Sequence, residues 1–143
     1  LGGDPDHAAA AKWFEIAANE DDPYSQNAYG ECFENGWGVE KNLTMVLLWY
    51  RSSAEQGFSA AMRNLGRAFN SGVGVKANPE TALSWFNKAA NADDQEAQYE
   101  LGMIYYKGLI TPKTLRRPLS GSKIYCSRLS KCPGSTRRYV FVG

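Results

Sequence analysis

A 36-residue period constrains the fold of this 143-residue chain more than any other feature of its sequence. Glycines, aromatic pairs and small residues all recur at this one offset. The recurring glycines are Gly30, Gly66 and Gly102, then Gly36, Gly72 and Gly108, and then Gly38 and Gly74. A period of this length is typical of repeat architectures, in which each unit packs only on its neighbours.

Each repeat predicts two amphipathic helices. The apolar positions of the first helix in the middle unit are Val46, Trp49, Tyr50, Ser53 and Ala54. Their spacing of i, i+3, i+4, i+7 and i+8 defines one helical face, and the same pattern recurs 36 residues before and after. A second apolar stripe runs from Ala61 to Phe69. The chain is therefore predicted to be an all-α protein of stacked antiparallel helix pairs, with three units at about residues 2–37, 38–73 and 74–108.

Polar residues mark the expected starts of these helices. Asp6, Asn42 and Asn78 occupy equivalent positions before the three first helices. Their side chains are those preferred at helix N-caps. Asp22, which is followed by a proline, predicts the start of the second helix in the first unit.

The repeated glycines predict structural roles. Gly66 and its equivalents fall in the middle of a helix, which predicts close approach of a neighbouring helix. Gly72 and its equivalents follow the second helix and suit a left-handed backbone. The Gly72-x-Gly74 spacing does not indicate a phosphate loop, because it follows a helix rather than a strand.

Residues 1–108 resemble the Sel-one-like repeat, a relative of the tetratricopeptide repeat. The resemblance is carried by the segments 28–39, 49–75 and 87–108. The repeat core A-x-A-Q-x-x-L-G-x-x-Y-x-x-G is kept at Ala97, Gln98, Leu101, Gly102, Tyr105 and Gly108. A tetratricopeptide repeat would have a period of about 34 residues. The resemblance implies a right-handed α-α superhelix, or solenoid.

The sequence departs from the repeat at two points. The position of Gly57 is occupied by Asp21 and Asp93 in the other units, and aspartate tolerates a left-handed backbone less well than glycine. The repeat register is lost after Gly108.

The resemblance implies a non-catalytic scaffold or adaptor that binds a protein or peptide. In the family, the first helix of each unit tends to line the concave side. The residues left on that side after the core is subtracted, together with Trp49, are expected to bind the partner: Lys12, Glu15, Leu48, Trp49, Arg51, Ser52, Glu55, Ser84, Asn87 and Lys88. Hot-spot composition favours Trp49 and Arg51, while a solvated face without a partner is the competing interpretation.

An enzyme is the first alternative, since some exported relatives have been linked to β-lactam binding. His7 is the only histidine, and nothing in the sequence places it beside Cys32 or a serine as a nucleophile–base pair would require. The acidic runs 20–22 and 93–94 fall at turns, where they suit helix N-termini better than acid–base chemistry. We find no cofactor or metal motif.

The basic tail is the basis of the second alternative. Residues 1–108 carry all 15 acidic residues and a net charge of −7, whereas residues 109–143 carry a net charge of +8. The tail is interpreted as an irregular segment, as one that folds back on the acidic body, or as a binder of nucleic acid through stacking of Tyr125 and Tyr139. A frameshifted gene end would have the same composition. Cys126 and Cys132 lack a zinc spacing and suit free thiols or, in an exported chain, a disulfide.

The last helix, predicted from Gln95 to Lys107, has no following repeat to cover it. We expect its flank, centred on Ile104, Tyr105 and Tyr106, either to be covered by the tail or to self-associate. No apolar run is long enough to span a bilayer.

Overall fold

The computed structural model describes residues 5–108, which form six α-helices. They are α1 (His7–Asn19), α2 (Pro23–Asn35), α3 (Leu43–Glu55), α4 (Ser59–Ser71), α5 (Pro79–Asn91) and α6 (Gln95–Tyr106). Each helix packs on the next one along the chain. Three-residue turns join the helices of a pair, and seven-residue connections join successive pairs. Residues 5–108 contain no strand, which confirms the predicted all-α solenoid.

The predicted N-caps begin the three first helices. The Asp6 side chain accepts a hydrogen bond from the backbone N–H of Ala9 at 3.0 Å. Asn42 and Asn78 do the same for α3 and α5. Asp22 also caps α2, as predicted, with proline at the first helical position. These caps satisfy backbone donors that a helix N-terminus leaves without an intrahelical partner.

The helix ends have the left-handed residues that the repeat predicts. Gly36 and Gly72 follow α2 and α4 with φ of 72° and 75°. Asp21 and Asp93 have φ of 63° and 61° in the turns where the middle unit has Gly57. Two non-glycine residues therefore hold a backbone conformation that costs energy for a side chain with a Cβ.

The core consists of three clusters, one in each unit. The middle cluster contains Val46, Tyr50, Ala54, Ala61 and Leu65. Residues from neighbouring units pack against it, because Phe33 comes from the preceding unit and Trp85 from the following one. The clusters therefore form one continuous core between the helices, as expected of a solenoid.

The first helix departs from the predicted burial. Trp13 was expected on the core face, yet it is 70% exposed, and Phe14 is only half-buried. Tyr50 and Phe86, the equivalents of Phe14, are fully buried because each packs on the second helix of the preceding unit. Trp49 and Trp85, the equivalents of Trp13, are half-buried. Residues 5–108 contain no helix before α1 to cover Trp13 and Phe14 in this way.

The last helix also departs from expectation. Ile104 and Tyr105 were expected on an uncovered flank, yet both are buried in the third cluster with Ala82 and Phe86 of α5. Tyr106 is exposed. The predictions for residues 109–143, including Tyr125, Tyr139 and the cysteines at 126 and 132, lie outside the described residues.

Candidate functional site

The first helices α1, α3 and α5 present an accessible row of side chains. Of the ten residues expected to bind a partner, seven are exposed and Ser52 is half-buried. These eight form what we call the first-helix surface: Lys12, Glu15, Leu48, Arg51, Ser52, Glu55, Ser84 and Lys88. Because the three helices are equivalent in the repeat, their exposed positions lie on the same side of the solenoid.

Asn87 does not belong to this surface, although the sequence predicted that it would. Its side chain is 3% exposed, and its Nδ2 donates to the carbonyl of Leu83 at 2.9 Å. Tyr105 of α6 is a second hydrogen-bond partner. The residue faces the second helix of its own unit, so a partner on the first-helix surface cannot reach it.

Trp49 mainly packs between the first and second units. Its ring lies 5.3 Å from that of Tyr29 on α2, and its Cβ lies 3.4 Å from where a Cβ on Gly30 would be. The side chain is half-buried, and its indole Nε1 has no hydrogen-bond partner among the described residues. Its contacts hold the first and second units together, whereas the accessible groups beside it are those of Leu48 and Arg51.

Two cations on the first-helix surface, Arg51 and Lys88, are not paired with a carboxylate among residues 5–108. Lys88 Nζ lies 4.3 Å from the centre of the Trp85 ring, a cation–π contact that positions the ammonium while leaving it exposed. Arg51 is exposed, and the ion pairs among residues 5–108 do not involve it. Both cations therefore remain available to a ligand.

The second helices are instead bonded to one another. Arg63 of α4 donates to both carboxylate oxygens of Asp94, at 3.0 and 3.1 Å, and lies 3.0 Å from Glu96. Asn64 of α4 donates to Asn27 of α2 at 3.0 Å. The polar groups between the second helices thus bind each other across unit boundaries, which fixes the spacing of the units.

The glutamine of the repeat core has a structural role that sequence reasoning missed. Gln26 Nε2 donates to the carbonyl of Ala18 at the end of α1, and Gln98 Nε2 donates to that of Ala90 at the end of α5. Gln56 also donates to Gln26 at 2.8 Å. The signal in the sequence was the repeat itself, since Gln26 and Gln98 lie two periods apart.

The residues considered for catalysis are occupied in packing. The His7 ring stacks on Trp37, with centroids 5.6 Å apart and planes at 11°. Cys32 is buried beside Ala11 and Tyr29, and burial raises the pKa of its thiol. A raised pKa disfavours the reactive thiolate. His7 and Cys32 are thus engaged in different contacts rather than in a nucleophile–base pair.

The acidic turns serve helix N-termini, as expected. Asp22 caps α2, and the hydrogen bonds from Ser25 lower the pKa of its carboxyl group. Asp94 caps α6 by accepting from the N–H of Ala97 at 2.8 Å. Within residues 5–108 no group of three potential ligands is placed to hold a metal ion. None of the six helices is long and apolar enough to cross a membrane.

Helix pairs stacked at a 36-residue period define an α-α solenoid of the tetratricopeptide-like class. A model of the Sel1 repeat matches residues 1–22, 23–58, 59–94 and 95–114, and the chain belongs to the Sel1 repeat family. Three of the matched segments begin with a second helix, so the family model divides the same 36-residue period one helix later than the units used above. No match is found among curated proteins.

Two solved structures show the same fold. One is c5321, described as a protective antigen present in uropathogenic Escherichia coli strains and displaying an SLR fold, with 31% identity and a TM-score of 0.68 over 72% of this chain. The other is a Sel1 repeat protein from Oxalobacter formigenes, with 34% identity and a TM-score of 0.67 over 71% of this chain. The similarity spans 22% of the first protein and 41% of the second.

Membership in this family has a general functional meaning. Sel1 repeat proteins generally mediate protein–protein interactions. Their fold is of the scaffold type and is typically non-catalytic.

Proposed function

We propose that this protein is an adaptor that binds a partner protein or peptide on the first-helix surface. The observation that carries the proposal is the contrast between the two sides of the solenoid. The charged groups between the second helices are paired with one another, whereas Arg51 and Lys88 on the first helices are exposed. A binding surface needs groups whose hydrogen bonds are not already used within the chain.

The composition of the surface supports one specific partner. Equivalent positions hold different side chains in the three units: Lys12, Leu48 and Ser84 share one position, and Ile16, Ser52 and Lys88 share another. Leu48 and Ile16 supply exposed apolar area, and Arg51 supplies a planar cation suited to carboxylate groups. Such a mixture suits an extended segment with an apolar side chain and nearby acidic groups.

A site-specific crosslink tests the location of the surface. A photoreactive residue placed at Leu48 in the full chain is expected to form a discrete adduct in host lysate, and the partner is then identified by mass spectrometry. The same residue placed at Lys76, in the connection between α4 and α5, is the matched control. Equal adducts from both positions would argue against a binding surface on α3.

Charge reversal tests the binding energy with the identified partner. Arg51→Glu combined with Lys88→Glu is expected to weaken binding by about tenfold or more, since hot-spot cations contribute 1–2 kcal/mol or more. Lys41→Glu combined with Lys76→Glu makes the same charge change outside the first-helix surface. Equal affinity for the two double variants would contradict the proposal.

A further inference from the structure

An aromatic pair lies at the junction between the first and second units, where the turns of their helix pairs meet. The Tyr24 ring on α2 and the Phe58 ring before α4 have centroids 5.5 Å apart and meet edge to face. Phe58 packs partly against the core of the second unit, whereas Tyr24 is 66% exposed. The pair is therefore anchored in the core on one side and accessible on the other.

The exposure of Tyr24 does not depend on its place in the first unit. Glu96 occupies the equivalent position of the third unit, two periods later. The preceding unit is in place there, with Arg63 at 3.0 Å, and yet the Glu96 side chain is 65% exposed. A position that stays accessible beside a preceding unit is an outward-facing position of the repeat.

Phe58 stands where the other second helices have a capping aspartate. Asp22 and Asp94 accept hydrogen bonds from the starts of α2 and α6, whereas α4 has no side-chain cap. Phenylalanine cannot accept these bonds, so it stabilises the start of a helix less than aspartate does. A residue that breaks a local rule beside an accessible aromatic ring indicates a role beyond helix formation.

Two hydrogen bonds hold the turns of the two units together. Ser53 Oγ donates to the carbonyl of Pro23 at 2.6 Å, and Gln56 Nε2 donates to Gln26 Oε1 at 2.8 Å. The surface around the aromatic pair is thus fixed by bonds across the junction. Binding to a surface that is already ordered costs less conformational entropy than ordering one on binding.

Carboxylates without a paired cation precede the aromatic ring in the chain. Glu20, Asp21 and Asp22 are exposed, and the ion pairs among residues 5–108 do not involve them. The last turns of α1 and α3, which end at this junction, contain no basic residue. The charge beside the aromatic pair is therefore negative and complements a cationic ligand.

We propose that the junction binds an arginine-rich segment of a partner protein through five residues, which we call the turn-edge patch: Glu20, Asp21, Asp22, Tyr24 and Phe58. A guanidinium group can stack on the accessible face of Tyr24 and pair with a neighbouring carboxylate at the same time. The ammonium group of lysine is more strongly hydrated and has no plane to stack, so arginine is preferred. None of the five residues belongs to the first-helix surface, so the two binding surfaces can be tested separately.

Fluorescence anisotropy of a labelled octa-arginine peptide, titrated with the full chain, tests the proposal. At physiological ionic strength the peptide is expected to bind saturably. Octa-lysine is expected to bind about threefold or more weakly, because it keeps the charge and loses the stacking. Equal affinity for the two peptides overturns the proposal. Absence of binding, as would result if residues 109–143 occupied the turn-edge patch, also overturns it.

Tyr24→Ser tests the aromatic ring. Octa-arginine is expected to bind this variant about threefold or more weakly than the parent protein. Since Tyr24 is mostly exposed, the variant should retain its helical circular dichroism and its unfolding temperature. Tyr99→Ser, which removes an exposed tyrosine of α6, is the matched control and should bind octa-arginine like the parent protein. Unchanged binding by Tyr24→Ser would overturn the proposal.

Asp21→Asn tests the charge without changing the turn. Asparagine tolerates the left-handed backbone of Asp21, whose φ is 63°, and the change is expected to weaken octa-arginine binding about twofold or more. Asp93→Asn makes the same change at a φ of 61° in the third unit, where Asp94 and Glu96 replace the aromatic pair. This control should leave the affinity unchanged. Equal losses from the two variants would show that octa-arginine responds to net charge alone, which would overturn the proposal.

Discussion

The ring of Phe86 lies directly against the backbone of Gly66. A Cβ on Gly66 would approach the Cδ1 and Cε1 atoms of this ring to 2.8 Å, which is closer than real Cβ atoms come to other atoms. The mid-helix glycine of the repeat is therefore required by the neighbouring unit and not by α4 itself. The helix accepts a residue of low helix propensity so that the next unit can approach closely.

Gly66→Ala is expected to destabilise the protein by about 1 kcal/mol or more. Overpacking against a buried ring costs about 1–3 kcal/mol, and alanine returns at most about 1 kcal/mol through helix propensity. Chemical denaturation measures the change. In a Phe86→Leu background the cost should shrink or reverse, because the shorter side chain leaves room for the new methyl group. A stabilising effect of Gly66→Ala alone would show that the two helices separate easily.

Asp93→Gly is expected to stabilise the protein by about 0.5–1 kcal/mol. Asp93 has φ of 61°, a conformation that glycine adopts without the Cβ penalty, although glycine loses more chain entropy on folding. The reverse change Gly57→Asp, at the equivalent turn with φ of 92°, should destabilise the protein by a similar amount. Thermal unfolding compares the two.

Ala92→Gly is the control for the turn. Ala92 precedes Asp93 and has φ of −88°, so glycine there adds entropy to the unfolded chain without relieving strain. Stabilisation by both Asp93→Gly and Ala92→Gly would indicate that the left-handed backbone is not the cause.

Gln98→Met is expected to cost about 0.5–1.5 kcal/mol. The change removes the hydrogen bond from the side-chain amide to the carbonyl of Ala90, and methionine is the residue that occupies this position in α4. Gln26→Met should cost more, because Gln56 loses its acceptor as well. Urea denaturation measures the free energy of unfolding of both variants and shows which of them is less stable. Gln95→Met, at an exposed position on α6, should have almost no effect, and equal costs at 26 and 98 would contradict the assigned network.

Stability is expected to fall at alkaline pH through the buried tyrosines. Burial and the hydrogen bond that Tyr50 donates to Glu34, at 2.5 Å, raise the pKa of the Tyr50 hydroxyl well above its ordinary value of 10.0. Desolvation also raises the pKa of Tyr29 and Tyr105. The unfolded chain therefore loses these protons first as the pH rises past 10, so stability is full below that pH and decreases above it.

Tyr50→Phe separates the contribution of this one hydroxyl. The variant should cost about 0.5–1.5 kcal/mol at neutral pH and should show a shallower loss of stability above pH 10 than the parent protein. Guanidinium denaturation from neutral pH to above pH 10 measures both effects. Tyr99→Phe, which removes an exposed hydroxyl, is the control and should leave the dependence of the unfolding free energy on pH unchanged. If Tyr50→Phe loses stability above pH 10 as steeply as the parent protein does, other groups cause that loss.

Much of the local structure could be predicted because the determinants lie close together in the chain. A cap such as Asn42 is recognised from the helix that follows it, and a left-handed glycine such as Gly72 from the helix that precedes it. The apolar face from Val46 to Ala54 defines a helix side before any partner is known. A 36-residue repeat then requires these elements to stack, since one unit alone cannot bury its apolar face.

Burial at the ends could not be predicted in the same way. Trp13 and Trp49 share a sequence position, yet Trp49 packs on Tyr29 and Trp13 has no equivalent helix among residues 5–108. The spacing of Asn87 along α5 predicts an exposed position, yet its side chain is hydrogen-bonded to Leu83 and Tyr105. Spacing along one helix gives the direction of a side chain but not the identity of its neighbours.

The sequence by itself determined the helices, their caps, their period and their membership in one repeat family. The tertiary structure alone decided which polar side chains are already bonded and which are available. These hydrogen bonds join residues about 30 positions apart, such as Arg63 and Asp94, and no local sequence pattern specifies such a pairing. The physical reason is that helix formation depends on neighbours within one or two turns, whereas burial and pairing depend on whichever unit packs alongside.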